Sequence, residues 1–267
     1  MTLITKDFST GYEEKKIINS ISLSLEQSEW LGIVGANGSG KSTFLKGISR
    51  ILDAHTGNAY LEGQDIHHSS TKEIAKKISV LPQHQRSNLT LTVYELVCLG
   101  RSPHKKWWEL DLDENDHIKV ERSIELTDMK AFKDNPIDTL SGGQRQRAFL
   151  SLALAQDAKT LLLDEPTTFL DLRYQLQFLD LLKKINHEQE ISIITVIHDL
   201  NLAARYCDRI AVLKDGELLA TDKPREVLTH ELLKNAFQVE TCQIETPIGF
   251  QICTIKSDLI EELSNSK

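Results

Sequence analysis

The chain contains 267 residues, of which 40% are hydrophobic and 26% are charged, and its formal net charge is −8 at pH 7. This composition is ordinary for a globular protein with one large core, and the acidic balance argues against a protein dedicated to nucleic-acid binding. No apolar run approaches the roughly 18 residues of a membrane-spanning helix, so we do not expect this chain to cross a membrane.

The first part of the chain is expected to form strands. Residues 3–10 and 17–25 are the first two, and the alternating Ile and Leu residues of the second are typical of an antiparallel sheet with one solvated face. A polar turn at 11–16 is expected to join them. Two further short strands are expected at 57–61 and 79–82, the second of which ends at its proline because proline cannot continue the strand hydrogen bonds.

A glycine-rich segment interrupts this region. An apolar run at 30–34 is followed by Gly-Ala-Asn-Gly-Ser-Gly-Lys-Ser at 35–42 and then by a segment with helical spacing. The pattern G-x-x-x-x-G-K-[ST] between a strand and a helix is typical of a phosphate-binding loop, whose glycines let several backbone N–H groups point at one anion. A glycine-rich turn that binds nothing is the alternative, and the flanking strand and helix disfavour it.

The loop predicts a nucleotide site that contains Mg²⁺. Lys41 is expected to reach the β- and γ-phosphates, and the Ser42 hydroxyl is expected to bind the metal ion. The predicted ATP-binding residues of the loop are Gly35, Ala36, Asn37, Gly38, Ser39, Gly40, Lys41, Ser42 and Thr43.

The middle of the chain changes to helical spacing. Residues 90–140 include a charged helix expected at 113–126, with Ile118, Val120 and Ile124 among its apolar positions. This region is expected to be a helical insertion between two parts of an α/β core.

The last part of the chain returns to strands and helices. The apolar runs at 161–163 and 192–197 are typical of parallel strands buried on both faces, and an amphipathic helix at 172–185 is expected to connect them. Asp215-Gly216 predicts a hairpin, and Thr229 is expected to cap a helix. Together these elements predict an α/β protein with a mostly parallel sheet. A last hairpin at 242–255 is expected to precede a frayed tail.

Two carboxylates follow the apolar run at 161–163. Ligands bind beyond the carboxyl ends of the strands in an open parallel sheet. Asp164 is therefore expected to bind Mg²⁺, and Glu165 is expected to be the general base, or the residue that orients water, for attack on the γ-phosphate. An acidic turn without function is the alternative.

A second anion site is expected at residues 140–144, at the N-terminus of a helix whose Ala and Leu content is evident over 145–155. Ser141 has the character of an N-cap, and the glycines after it expose backbone N–H groups. The five residues of this motif are Leu140, Ser141, Gly142, Gly143 and Gln144. A single nucleotide does not obviously need both this site and the loop at 35–42.

These motifs, in this order and spacing, resemble those of the ATP-binding subunits of ABC transporters over nearly the whole chain. Residues 140–144 match the signature motif of that family. The resemblance implies one ABC ATPase domain over residues 1–267, with a P-loop NTPase core and an N-terminal antiparallel β subdomain. It assigns residues 1–88 and 156–238 to the α/β core, 89–155 to the inserted helical subdomain, and 239–267 to the C-terminal hairpin and tail.

The resemblance also implies roles for residues that the spacing alone does not explain. Tyr12 takes the place of the aromatic residue that stacks on adenine, and Asp171 closes the loop after Glu165 and contacts the second subunit. Gln83 takes the place of the coupling glutamine, which serves catalysis and binds Mg²⁺. His198 is expected to contact the γ-phosphate, whereas without the family pattern it could equally be a structural or capping histidine.

The implied assembly is a head-to-tail homodimer, in which the signature motif of one subunit closes the ATP bound by the other. This arrangement explains the two separate anion sites. The dimer is expected to bind polytopic membrane permease subunits on the cytoplasmic face of the plasma membrane, and to meet a substrate-binding protein only indirectly. No nucleic acid is expected as a partner. The four cysteines lack CxxC or metal-binding spacing, which indicates free thiols in a reducing compartment.

A finer resemblance concerns the transported compound. Residues 99–104, 167–171 and 198–201 resemble those of the ATPases of iron–siderophore, haem and cobalamin importers, and Thr168-Phe169 stands where other ABC importers carry Ser-Ala. The expected function is ATP hydrolysis that energises an importer of iron(III)–siderophore complexes. The alternatives are a haem or cobalamin importer, a soluble ABC protein that acts on ribosomes or DNA repair complexes, and a small-molecule phosphoryl transferase, which would not need the signature motif.

Overall fold

The computed structural model describes residues 1–83, 90–106, 111–168, 170–247 and 249–257. The strands of this part of the chain are β1 (Leu3–Tyr12), β2 (Lys15–Leu25), β3 (Trp30–Val34), β4 (Ala54–Leu61), β5 (Gln64–Asp65), β6 (Ile78–Leu81), β7 (Thr160–Asp164), β8 (Ser192–Val196), β9 (Arg209–Lys214), β10 (Glu217–Asp222), β11 (Val239–Thr246) and β12 (Gly249–Ser257).

The helices connect and cover these strands. The α-helices are α1 (Lys41–Ile48), α2 (Thr71–Ala75), α3 (Val93–Cys98), α4 (Glu114–Leu126), α5 (Gly142–Ala155), α6 (Leu172–Gln189), α7 (Leu200–Tyr206), α8 (Pro224–Val227) and α9 (His230–Phe237). Short 3-10 helices lie at Leu99–His104, Lys130–Phe132 and Ile137–Thr139. Within the described ranges, no helix combines the length and the apolar character that crossing a membrane requires.

A six-stranded sheet forms the centre of the molecule, with the strand order β10-β9-β3-β8-β7-β6. All neighbouring pairs are parallel except β9 and β10, which form the hairpin expected at Asp215-Gly216. The parallel strands are buried on both faces. Leu161 and Leu163 of β7 pack into one hydrophobic cluster, while Leu162 between them packs into another on the opposite face. This alternation explains why the run of three leucines forms a strand although it has no polar face.

An antiparallel sheet of the order β2-β1-β4-β5 lies at the N-terminus. Its first two strands are longer than expected, and the prediction of a turn over 11–16 is wrong. Gly11 pairs with Lys16 and Tyr12 pairs with Lys15, so only Glu13 and Glu14 remain for the turn. Strand pairing therefore continues through polar residues that have no apolar periodicity, because backbone hydrogen bonds and not side chains define this end of the ladder.

Helix α1 packs between the two sheets. Phe44, Leu45 and Ile48 of this helix share a cluster with Phe8 of β1 and with Ile33 of β3. The rings of Phe8 and Phe44 meet edge to face, with 6.3 Å between their centroids and 73° between their planes. The helix that follows the glycine-rich loop is thereby fixed in the core, which places its N-terminus at the end of β3.

Helices α3, α4 and α5 bury a cluster of their own. Val120 and Ile124 of α4 are fully buried, but Ile118 is 59% exposed, so its expected place on the apolar face is wrong. The buried side of α4 follows the i, i+4 and i+8 spacing of Asp116, Val120 and Ile124, and Ile118 lies outside this stripe. Asp113, expected as the first residue of this helix, is its N-cap and accepts a hydrogen bond from the backbone N–H of Asp116 at 2.7 Å.

The C-terminal hairpin β11–β12 forms a separate two-stranded sheet and is longer at both ends than the expected 242–255. Thr229 caps α9 as expected, by accepting a hydrogen bond from the N–H of Leu232. The tail beyond Ser257 lies outside the described residues, and so does Phe169, one of the residues on which the finer resemblance is based.

Candidate nucleotide-binding site

The glycine-rich loop connects the end of β3 to the start of α1. Gly40 is the N-cap residue of α1 and has a φ of 98°, which is a left-handed conformation that a side chain would strain. A Cβ atom at this position would also lie 2.6 Å from Cδ1 of Ile18. Gly38 has a φ of 81°. The loop therefore needs glycine at both positions to bring its backbone N–H groups to the N-terminus of α1, where the helix dipole favours an anion.

Lys41 lies inside this loop, and only 5% of its surface is exposed. Its Nζ atom donates hydrogen bonds to the carbonyl oxygens of Gly35 and Ala36, both at 2.9 Å. Burial lowers the pKa of Lys41, and the nearby carboxylates of Glu165 and Asp164 partly oppose this change. The ammonium group thus lies at the mouth of the loop, where a phosphate could replace the backbone carbonyls as its acceptor.

Ser42 and Asp164 meet across the gap between α1 and β7. The Ser42 hydroxyl donates to Oδ1 of Asp164 at 2.7 Å. Burial raises the pKa of Asp164, and the hydrogen bond from Ser42 works in the opposite direction. A buried carboxylate whose ionised form is disfavoured would gain from a bound divalent cation, and a hydroxyl with a carboxylate oxygen is a suitable ligand pair for Mg²⁺. These two residues therefore fit the expected metal.

Glu165 receives contacts from the residues that follow two neighbouring strands. The Nε2 atom of His198, after β8, lies 2.5 Å from Oε1 of Glu165. The amide of Gln83, after β6, donates to Oε2 of Glu165. Because β8, β7 and β6 are adjacent and parallel, their carboxyl ends bring the three side chains together. The sequence predicted each residue separately, and the sheet order supplies their contact.

Thr168 is a further partner of Glu165 that sequence reasoning missed as part of the site. Its hydroxyl donates to Oε2 of Glu165 at 3.2 Å, and its backbone N–H donates to the carbonyl of the same residue at 3.2 Å. The signal was present in the sequence, because a threonine three residues after a carboxylate in a turn is placed to return a hydrogen bond.

The backbone of Glu165 is left-handed, with a φ of 50°. A non-glycine residue in this conformation costs about 1–2 kcal/mol, and such strain is common where a side chain must point in a particular direction. Here the turn after β7 directs the Glu165 carboxylate toward His198 and Gln83, while Asp164 before it points at Ser42. The carboxylates of Asp164 and Glu165, although consecutive in sequence, therefore contact different groups.

Tyr12, the expected adenine-stacking residue, lies at the end of β1 and is 45% exposed. Its hydroxyl accepts a hydrogen bond from Nζ of Lys46 at 3.2 Å, and Lys46 belongs to α1. The ring is thus beside the helix that begins at the phosphate loop, and Nζ of Lys46 lies over it, 5.7 Å from the ring centroid.

The signature residues lie on a different helix. Ser141 is the N-cap of α5, as expected, and the structure adds a reciprocal capping box between Ser141 and Gln144. Ser141 and Gly142 are exposed, whereas Leu140 is buried beneath them. Among the described residues, no hydrogen bond or ion pair connects 140–144 with the loop at 35–43. The structure therefore does not bring the two anion sites together within one chain.

Asp171 is the N-cap of α6, and its carboxylate accepts from the backbone N–H of Tyr174 at 3.0 Å. The ring of Tyr174 lies over Gly143, where an added Cβ atom would be 3.2 Å from Cδ1 of the ring. Asp171 is exposed, as a residue that contacts a second subunit has to be.

Comparison with known protein families relates this geometry to an activity. The family profile described as ABC transporter matches residues 18–168, more than half of the chain. The chain belongs to the ABC transporter family. It is 41% identical to the iron(3+)-hydroxamate import ATP-binding protein FhuC of Bacillus subtilis (strain 168) over 97% of this chain and 96% of that protein. As a member of this family, the chain is an ATP-binding ATPase that serves transport.

Solved structures of other ABC proteins share the fold. A putative metal-chelate type ABC transporter in an inward-facing conformation superimposes with a TM-score of 0.82 at 23% identity, over 96% of this chain and 97% of the other. A dimeric bacterial ABC transporter cassette superimposes with a TM-score of 0.69 at 29% identity, over 84% and 99% of the two chains. The expected P-loop NTPase fold, with its N-terminal antiparallel sheet and additional helices, is confirmed.

Proposed function

We propose that this ABC ATPase binds MgATP at the carboxyl ends of β3, β8, β7 and β6, and that hydrolysis there drives import of iron(III)–siderophore complexes. The observation that carries the proposal is the set of contacts around Glu165. His198 and Gln83 contact its two carboxylate oxygens, while Lys41 and the pair Ser42–Asp164 lie beside it. A base, a phosphate-binding cation and a metal-binding pair thus lie at one sheet edge.

The chemistry follows from these positions. Lys41 and the N–H groups of residues 35–43 compensate the negative charge of the phosphates. Glu165 orients the attacking water and accepts its proton, and His198 donates a hydrogen bond to the γ-phosphate. Mg²⁺ bound by Ser42, Asp164 and Gln83 would supply the remaining positive charge. Tyr12 stacks on the adenine ring.

A second copy of the chain completes the site. The exposed Ser141 and Gly142, with the half-buried Gly143, would bind the γ-phosphate of the ATP held by the other subunit, and Asp171 would contact that subunit. This head-to-tail arrangement explains why two anion sites of one chain have no contact with each other. The existence of a dimeric cassette with the same fold supports it.

The proposed substrate is based on similarity to a named relative and not on the geometry of the ATP site. The Bacillus subtilis relative is named for iron(3+)-hydroxamate import and matches this chain over nearly its full length. We therefore assign the ATPase to a permease for ferric siderophores on the cytoplasmic face of the plasma membrane, with a substrate-binding protein as an indirect partner. Gln83 couples the site to the permease, because it follows β6 and contacts Glu165 directly.

Complementation tests this proposal. A strain that lacks the gene for this chain should lose uptake of radioactive iron supplied as a ferric hydroxamate. The wild-type gene should restore uptake, and the Lys41→Ala gene at equal protein level should not. Uptake of haem and of cobalamin, measured in the same strains, serves as the control for substrate class. Normal ferric hydroxamate uptake in the deletion strain, together with a loss of haem or cobalamin uptake, would contradict the substrate assignment.

A further inference from the structure

The C-terminal hairpin β11–β12 contacts the helix that follows His198. This hairpin lies outside the 18–168 span that matches the family profile. Its strand β12 packs on α7, and Ile252 of β12 is almost fully buried in the large hydrophobic cluster of the central sheet. The hairpin thus contacts both α7 and the hydrophobic cluster of the central sheet.

The side chain of Asn201 in α7 forms two hydrogen bonds with the backbone of one hairpin residue, Ile252. Oδ1 of Asn201 accepts from the backbone N–H of Ile252 at 2.7 Å, and Nδ2 of Asn201 donates to the carbonyl of Ile252 at 3.2 Å. Asparagine can do this because its amide presents an acceptor and a donor side by side, as a neighbouring strand does. The paired bond fixes both the position and the rotation of the first turn of α7.

The same turn contains the residue that follows His198. Asp199 caps α7 by accepting from the N–H groups of Asn201 and Leu202, at 2.8 and 3.0 Å. Before His198, the N–H of Ile197 donates to the carbonyl of Ile33 in β3. His198 therefore lies in the short segment that joins a fixed strand end to a capped helix. Its side chain is 43% exposed, and its Nε2 atom contacts Oε1 of Glu165.

The hairpin is attached to the protein independently of α7. Nε2 of Gln243 donates to the carbonyl of Leu228 at 2.6 Å, and Nδ1 of His230 lies 2.8 Å from the carbonyl of Thr241. These contacts join β11 to the segment around α8 and α9. Because the hairpin has its own anchors, the bonds of Asn201 attach α7 to a fixed support and do not merely hold the hairpin.

We infer that Asn201 is a positioning residue, which uses the C-terminal hairpin to hold the first turn of α7 and thereby sets the position of the His198 ring against Glu165. The inference rests on the proposed function where it concerns the rate of hydrolysis. It predicts that the amide of Asn201, whose two side-chain hydrogen bonds go to Ile252 of the hairpin, controls turnover through His198.

The test compares Asn201→Ala with Gln243→Ala. Asn201→Ala removes two side-chain hydrogen bonds between the hairpin and α7, and Gln243→Ala removes one between the hairpin and Leu228, so only the first variant releases α7. In Asn201→Ala, kcat for ATP should fall about tenfold, because a displaced catalytic group loses much of its effect, while the KM for ATP stays within about twofold. Gln243→Ala should keep both parameters. If Asn201→Ala does not fold, Asn201→Asp keeps the acceptor for Ile252 and should show a smaller loss.

The nuclear magnetic resonance signal of the His198 ring distinguishes a change in ring position from a loss of folding stability. In nuclear magnetic resonance spectra of protein with labelled histidines, the ring signal of His198, identified by its absence in His198→Gln, should move in Asn201→Ala and stay in Gln243→Ala. The double variant Asn201→Ala/His198→Ala should hydrolyse ATP no more slowly than His198→Ala, since the two residues act as one unit.

Two results would overturn the inference: an unchanged His198 signal in folded Asn201→Ala protein, or losses of turnover that multiply in the double variant. A His198 signal that moves while His198→Ala hydrolyses ATP at the wild-type rate has a different meaning. It would confirm that Asn201 positions the ring and would contradict the role of His198 in the proposed function.

Discussion

The Nε2 atom of His198 lies 2.5 Å from Oε1 of Glu165, across the carboxyl ends of two neighbouring parallel strands. The contact lets a ring N–H of His198 orient the carboxylate from one side, while Gln83 and Thr168 donate to its other oxygen. Glu165 is thus held by groups from three strand ends, and its proposed role as a proton acceptor would depend on this orientation.

The first prediction concerns Glu165 itself. Glu165→Gln keeps the shape of the side chain but removes the negative charge and the proton acceptor. We expect ATP affinity to stay within a few-fold, while kcat falls at least about a hundredfold, the usual contribution of a general base. Steady-state hydrolysis and equilibrium titration with a fluorescent ATP analogue provide the two measurements. Turnover at the wild-type rate would remove Glu165 from the role of base.

Substitution of Lys41 tests ATP binding separately from ATP hydrolysis. Lys41→Ala removes a buried ammonium group from the phosphate loop, and loss of hydrogen bonds to a charged partner should weaken ATP binding roughly tenfold to a hundredfold. Lys6→Ala is the control, because Lys6 is exposed on β1 and stacks on Tyr60 in the N-terminal sheet. Titration calorimetry of both variants with ATP decides the matter. Equal affinities would show that Lys41 does not bind the phosphates.

The proposed shared site predicts that ATP drives dimer formation. In the Glu165→Gln background, analytical ultracentrifugation should show a dimer with MgATP and mainly monomer without it. Ser141→Ala should weaken this dimer, because the Ser141 hydroxyl is proposed to bind the γ-phosphate of the ATP held by the second subunit.

Ser70 provides a matched control for Ser141. Both serines cap a helix through a capping box, Ser70 with Glu73 and Ser141 with Gln144, so both alanine variants should lose about 1 kcal/mol of folding stability. Only Ser141→Ala should change the ATP-dependent dimer. An identical effect of the two variants on dimerisation would mean that the defect comes from stability and not from the shared site.

Gln83→Ala tests coupling to the permease. The variant should lower ferric hydroxamate uptake and permease-stimulated hydrolysis more than it lowers ATP affinity of the isolated subunit, because Gln83 contacts Glu165 and follows the strand at the edge of the sheet. Gln64→Ala in β5, which loses only an exposed bond to Lys77, serves as the control. Full uptake by the Gln83→Ala strain at matched protein levels would exclude the coupling role.

The ionised carboxylate of Asp164 should lower the free energy of unfolding of the nucleotide-free protein at neutral pH. Its pKa is raised by burial, so the folded state prefers the protonated carboxyl. Between the ordinary pKa and the raised one, the folded state binds more protons than the unfolded state, and stability therefore falls as the pH rises through this window. Asp164→Asn removes this effect and should raise the free energy of unfolding by about 0.5–2 kcal/mol, while Mg²⁺-dependent ATP binding is lost.

Denaturant unfolding of the nucleotide-free proteins measures this effect. The advantage of Asp164→Asn over the wild type should grow as the pH rises through the raised pKa and then stay constant. Asp128→Asn, which alters an exposed carboxylate paired with Arg147, should change the unfolding energy little at any pH. A less stable Asp164→Asn protein at neutral pH would show that the ionised carboxylate is stabilising, contrary to the expected effect of its burial.

Errors in the predicted elements have physical causes. The turn expected at 11–16 is shorter because Gly11 and Tyr12 continue the backbone pairing of β1, which hydrophobic patterns do not report. Ile118 is exposed although it is apolar, since the position of the buried stripe on α4 depends on which helices pack against it. Local sequence thus predicted that these elements exist, whereas their ends and buried faces depend on their partners.

The sequence by itself determined the chemistry of the phosphate loop and the placement of its functional groups next to strand ends. The glycines, Lys41 and Ser42 act through local backbone geometry, so their spacing is sufficient to predict a phosphate site. Caps such as Ser141 and Thr229 are local in the same way, because each side chain bonds to an N–H only three residues away.

Only the tertiary structure decided which of these groups meet. Ser42 and Asp164 are 122 residues apart, and Gln83 and Glu165 are 82 residues apart, yet each pair is hydrogen-bonded. Their contact depends on the strand order β3-β8-β7-β6, in which strands distant in sequence lie side by side. Similarly, nothing in the local sequence connects Asn201 with Ile252, because that bond exists only when the C-terminal hairpin packs on α7.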